Sequence, residues 1–241
     1  MGAATNPEQD SFNAKLIAPR WHTVVVLLLV LAFSALAALG THSPGMTHPI
    51  QPQVRVMGYT FAMVVEWLIL AFVWFGIRLR KVSLGDVIGG SWRNGKAVLR
   101  DLGIVVLFFF ASNLVSALLT GLLKINPGLA VRDMLPHGGT EAALYLLMAL
   151  TAGFCEEIIF RGYLQKQFAA MMGNAGVAVV AQGFLFALFH GNQGWKFMAI
   201  IAVYGWLLGV LACWRRSLRP GMIAHFLQDG LVGLLAPYLF R

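Results

Sequence analysis

The chain has 241 residues, 59% hydrophobic and 12% charged, with a mean hydropathy of +0.73. A soluble domain carries about 25% charged residues, so this composition excludes an ordinary soluble enzyme and points to a polytopic membrane protein. The net charge of +8 does not mark a nucleic-acid partner: the basic residues lie in short loops between apolar runs, where positive charge sets membrane orientation.

Segments of about 20 apolar residues cross a bilayer, and the chain offers seven. The expected fold class is all-α, a transmembrane helix bundle of about seven spans. A cytoplasmic segment at residues 1–21 precedes a single integral-membrane helical domain at residues 22–239.

Residues 1–20 are polar, with Lys15 and Arg20 just ahead of the apolar run Val24–Gly40. This resembles a signal peptide, with Ala35-Leu36-Ala37 as a cleavage site, but the run exceeds the roughly 7–15 residues of a signal core. A retained first span is therefore expected. Prolines 44, 49 and 52 mark a loop, in which His42 and His48 read as solvated residues ahead of metal ligands. The second span, about Met57–Ile77, carries Glu66 near its middle. No motif surrounds Glu66, so it reads first as a structural carboxylate and second as an accessory acid.

Between Arg78 and Arg100, basic residues alternate with Leu84, Val87, Ile88 and Trp92, as in a segment lying on anionic headgroups. The third span, Leu102–Leu123, holds Ser112, Asn113 and Ser116, candidates for bonds between helices. Pro127, Gly128, Pro136 and the pair Gly138-Gly139 are turn signals. The fourth helix starts near Thr140 and continues beyond the membrane toward Met172, and the fifth covers Ala175–His190. After the tight connection Gly191–Gly194, the sixth span, Trp195–Trp214, carries Gly205 and Gly209 at the spacing of a close helix contact. A basic loop with Arg215, Arg216 and Arg219 leads to the seventh, Gly221–Leu239.

Alternate loops divide the 18 Lys and Arg residues unequally. With the N-terminus inside, Arg55, Lys124, Arg132, Lys196 and Arg241 are the outer residues and the other 13 are inner. The positive-inside rule favours a cytoplasmic N-terminus, and a bacterial inner membrane is the expected location.

The stretch from Leu144 to Leu164 is an apolar helix interrupted by Glu156, Glu157 and Arg161. Ionisable groups in a span face a cavity or a partner and by default carry function. Residues four apart share a helix face, so Glu157 pairs with Arg161, while Glu156, about 100° away, has no partner in its own helix. By the same spacing Gln182, Phe186 and His190 share a face of span five, and His225 and Asp229 share a face of span seven. Asp229 is expected to orient the His225 ring. One carboxylate and two imidazoles could then converge, Glu156 as general base, His190 holding water, and His225 with Asp229 at an oxyanion. His225 lies near the inner face and His190 at the far end of span five, so their expected depths match only roughly. Cys155 and Cys213 form neither a disulfide framework nor a metal-ligand spacing, and the two carboxylates beside Cys155 oppose a thiolate.

Glu156-Glu157-x-x-x-Arg161, Phe186-x-x-x-His190 and His225-x-x-x-Asp229, in this order and in separate spans, resemble the CPBP family of CAAX prenyl proteases and bacteriocin-processing (Abi) proteins. The resemblance covers residues 140–239 as a catalytic core; the first three spans match only as hydrophobic helices. It implies a glutamate-type intramembrane endopeptidase without cofactor or metal. Glu156 activates water with His190; Glu157, Arg161 and Phe186 support the site; His225 and Asp229 form the oxyanion side. CAAX-processing members carry asparagine at the position of Asp229 and are built on eight helices, so the substrate opening is expected to differ. The implied partners are the bilayer and a membrane-bound or lipophilic peptide or protein.

Three other readings remain at this stage. Glu156, His190 and His225 could be zinc ligands, although the His-Glu-x-x-His signature is absent. A non-proteolytic immunity or scaffold protein would tolerate Glu156→Gln. A transporter would use buried Glu and His as proton relays, but no inverted repeat or broken helix pair is visible.

Overall fold

A computed structural model describes residues 15–41, 51–125 and 134–239; His42 and His48 lie outside them. The described residues form helices α1 (Arg20–Thr41), α2 (Pro52–Leu79), α3 (Leu84–Ile88), α4 (Gly95–Leu122) and α5 (Gly139–Glu156). A π-helical stretch, Glu157–Leu164, joins α5 to α6 (Gln165–Met172). Then come α7 (Ala175–Phe189), a 3-10 turn (Gly191–Gln193), α8 (Trp195–Arg215) and α9 (Arg219–Leu239). The fold is all-α, and each of the seven expected spans appears as a helix. By length and composition α1, α2, α4, the continuous rod Gly139–Met172 and α8 can each cross a membrane. Leu107, Phe110, Leu118 and Leu122 of α4 are exposed, as on a surface solvated by lipid.

The rod sits at the centre. At ~1.5 Å per residue its 34 residues run about 50 Å, well past the ~30 Å hydrocarbon core. Its end at Gly173 adopts φ +66°, a left-handed cap that glycine takes without steric cost, and the Gly173 N–H closes on the Ala169 carbonyl. The Asn174 side chain then caps α7 through the Val177 N–H. The chain therefore turns back on itself as a tight hairpin, with α7 packed along α6 and the π segment, and with Phe160 against Phe186 at a ring separation of 5.2 Å. The other α5 faces are covered by α2 and α9.

Glycines set the α7–α8 contact, as the Gly205 and Gly209 spacing anticipates. A Cβ on Gly205 would lie 3.1 Å from the Gly183 Cα and 3.1 Å from Phe186 Cδ1. Gly205→Leu is expected to push α8 off Phe186 and to cost about 1–3 kcal/mol, read as a lowered unfolding midpoint in detergent.

The chain alternates between the two ends of the bundle. At one end, Gln167 bonds the Ile17 and Ala18 N–H groups. Lys166 donates to the Val87 carbonyl at 2.8 Å, Arg215 pairs with Asp101, and Arg219 donates to Gly89. At the other end, Arg55 makes a bidentate pair with Glu141 (2.9 and 3.1 Å), Tyr59 donates to the Met134 carbonyl, and Lys196 donates to Leu123. Arg161, counted by sequence among the inner loop charges, is instead buried in the rod. The segment between α2 and α4 is a strap clamped across its end of the bundle rather than a free surface segment. Val87 is buried, Gly89 bridges to Ser217, and Trp92 donates to Asp101 while lying beneath Arg219. Within the strap, the Ser83 hydroxyl and N–H hold the Asp86 carboxyl below the usual carboxylate range.

Helix α1 is docked on the rod through a buried polar chain. The Phe72 carbonyl accepts only, so His22 Nε2 carries the proton and donates to it at 2.9 Å. Nδ1 then accepts from the Tyr163 hydroxyl at 2.7 Å. Of the polar residues expected on α4, Asn113 makes the inter-helix bond, a reciprocal amide pair with Gln228 on α9 (2.7 and 3.2 Å). Ser112 bonds within its own helix.

Candidate active site

The site forms where the rod changes from α- to π-helix. A π turn is wider than an α turn and occurs often at functional positions; here it begins at Glu157. Both adjacent carboxylates reach the same ring. Glu157 Oε1 lies 3.1 Å from His225 Nδ1, and Glu156 Oε2 lies 3.8 Å from His225 Nε2. The α-helical expectation separated the pair and left Glu156 without a partner in its own helix; the group that faces it comes from α9.

Glu157 is the anchored acid. Its Oε1 is 2.9 Å from Arg161 Nη1, with both side chains fully buried. Arg161 also donates to the Gly205 carbonyl at 3.4 Å and lies 4.1 Å over the Phe186 ring. Gln182, on the Phe186 face of α7, donates to the same Gly205 carbonyl at 2.9 Å. These contacts neutralise Glu157 and fix the guanidinium between π segment, α7 and α8.

His225 is held from two sides. Glu157 takes Nδ1, a contact the sequence did not indicate, and Asp229 Oδ2, four residues on, lies against Nε2 at 3.4 Å. Because the Arg161-paired Glu157 carboxylate accepts only, Nδ1 carries a proton, and Nε2 faces the carboxyls of Glu156 and Asp229.

His190 ends α7, with Nδ1 2.9 Å from the Phe186 carbonyl. That carbonyl accepts only, so Nδ1 carries the proton and Nε2 is left as an acceptor. The Phe186 ring touches both imidazoles, with ring separations of 4.8 Å to His190 and 5.7 Å to His225. The depths match better than the sequence implied. Glu156 and His190 each lie 17 residues from Gly173, on opposite arms of one antiparallel hairpin. From the hairpin tip α7, about 22 Å long at ~1.5 Å per residue, returns His190 to the level of Glu156.

Two further groups enter the site. Glu66 of α2 is buried, and its carboxyl lies close enough to that of Glu156 for the two to repel when both are ionised. Tyr204 of α8 packs its ring on His225 at 5.9 Å, and its buried hydroxyl has no hydrogen-bond partner among the described residues. The sequence offered no motif at Tyr204; adjacency to the helix-contact glycine Gly205 was its one signal. Cys155 is buried beside Glu66 and Glu156, surroundings that oppose a thiolate. Among the described residues, no three His, Cys, Asp or Glu side chains are placed to hold a metal ion.

The arrangement can move a proton at a carboxylate and place two imidazoles beside a bond to be broken. No curated protein and no solved structure matches the chain. A family model described as "Rce1-like: Type II CAAX prenyl endopeptidase Rce1-like" matches residues 138–231, which contain the rod, α7, α8 and the three motifs. Over these residues the chain is similar to the type II CAAX prenyl endopeptidase family, and its apolar helices are those of an integral-membrane protein.

Proposed function

We propose that the protein is a glutamate-type intramembrane endopeptidase that cuts a membrane-associated or lipidated peptide at the level of Glu156. One observation carries this reading. Glu157, neutralised by Arg161, holds His225 so that its other nitrogen faces Glu156 at 3.8 Å and Asp229 at 3.4 Å.

In this reading Glu156 takes a proton from water as the oxygen attacks the peptide carbonyl carbon. His190, with its Nδ1 proton committed to Phe186, uses Nε2 to accept the water's second O–H and aim the lone pair. His225 then donates from Nε2 to the developing oxyanion as an imidazolium, since Nδ1 is already protonated toward Glu157. Ionised Asp229 favours that imidazolium and does not itself donate. When the tetrahedral intermediate collapses, Glu156 returns its proton to the leaving nitrogen and the C–N bond breaks. One water is added across the bond.

The three basic loop segments and the N-terminal segment gathered at one end of the bundle support a cytoplasmic N-terminus, in a bacterial inner membrane.

The test uses the protein reconstituted in vesicles with membrane-anchored peptides, with and without a C-terminal prenyl group. New peptide termini are expected, at an unchanged rate after treatment with a metal chelator. Loss of cleavage under chelation, restored by zinc, would transfer Glu156, His190 and His225 to the zinc reading.

A further inference from the structure

We propose that Glu66 is the second acid of the site, sharing one proton with Glu156 across the α2–α5 contact. The inference rests on the protease reading and deepens it, because it gives the base a partner on a helix outside the matched segment.

Four observations lead there. Glu66 lies mid-helix on α2 and is 4% exposed, while Glu156 is 3% exposed. The two carboxyls are electrostatic neighbours where α2 packs on α5. Neither Oε2 has a hydrogen-bond partner among the described residues. Arg161 is committed to Glu157, and the Nε2 of His225 lies nearer to Asp229 than to Glu156. An ionised carboxylate only accepts, so two carboxyls bond to each other only when one carries a proton. Two unpaired carboxylates at this depth would each face the full cost of burial as well as mutual repulsion. A single shared proton relieves both, as in other paired-acid sites.

The proton has a use. As water attacks, its proton passes to Glu156 and the shared proton moves wholly onto Glu66. Glu156 then gives its proton to the leaving nitrogen, and the hydrogen bond between the two acids forms again. The C–O bond forms, the C–N bond breaks, and the dyad ends as it began. Glu66 acts through Glu156 and is a positioning residue.

The groups facing Glu66 are Glu156 and Cys155 from α5 and Asp229 from α9. The variant Glu66→Gln keeps the shape and can donate its amide to Glu156, but it has no proton to share. Cleavage is expected to fall about 10- to 100-fold, toward the low end of a general acid–base contribution. The alkaline limb of the pH–rate profile, where the dyad loses its shared proton, should disappear, because glutamine has no proton to lose. An infrared spectrum should show a buried protonated-carboxyl band that shifts in both Glu66→Gln and Glu156→Gln, as the shared proton is lost; this readout needs folded protein but no turnover. A Glu66→Gln profile superimposed on wild type, or an unchanged carboxyl band, overturns the dyad. If Glu156→Gln, run beside it, cleaves at the wild-type rate, the protease reading itself fails. If Glu156→Gln is inactive while Glu66→Gln matches wild type, only the dyad fails.

Discussion

Peptide cleavage by Glu156→Gln is expected to fall by roughly 10²–10⁴-fold, the range of a lost general base, with no loss of fold. Glutamine fills the same volume and can donate to the Glu66 carboxyl, so the α2–α5 contact survives. What it cannot do is accept a proton from water. The measurement is the turnover of a membrane-anchored peptide beside an unfolding curve in the same detergent. Loss of rate at an unchanged midpoint assigns the defect to chemistry. Loss of both would make Glu156 a structural acid.

The second large effect belongs to Arg161. Its guanidinium pairs with Glu157 at 2.9 Å, reaches Gly205 and covers Phe186. Arg161→Met leaves a fully buried carboxylate opposite His225 with no permanent cation. Breaking one half of a buried pair costs about 3–5 kcal/mol, most of it the uncompensated charge. The double variant Arg161→Met/Glu157→Gln removes that charge and should recover much of the stability. It should not recover activity, because glutamine in place of the carboxylate no longer favours a charged His225. Arg161→Lys should fall between, since a point charge can reach Glu157 but cannot hold Gly205 at the same time. Unfolding midpoints for the three proteins, with turnover for each, separate the two roles of the pair. Equal midpoints for the single and double variants would show that the buried charge does not set stability.

Much of this was legible in the sequence because the signals are local. Apolar runs of membrane length give the helices, and i,i+4 spacing gives the Glu157–Arg161 pair and the shared face of Gln182, Phe186 and His190. The length of the fourth helix past the membrane was also readable. Its consequence for His190 depends on the hairpin folding back at Gly173, a matter of tertiary packing. The π turn left no mark in composition, since the stretch from Glu157 to Leu164 reads as an ordinary apolar helix. That turn, with the position of α9, lets both carboxylates reach one imidazole and gives the His225 Nδ1 to Glu157. Glu66 and Tyr204 come from helices whose sequence positions carry no motif. Only the packing of α2 and α8 against the rod brings them to the site.

The most direct test compares peptide termini in membranes from cells carrying the intact protein, Glu156→Gln or His190→Ala at matched expression. Under a glutamate-type mechanism, one set of new termini is present with the intact protein and absent from both variants, and the residues flanking those termini define the substrate. Identical termini in all three samples, with any associated phenotype kept by Glu156→Gln, would contradict catalysis and leave a binding role for the same buried cluster.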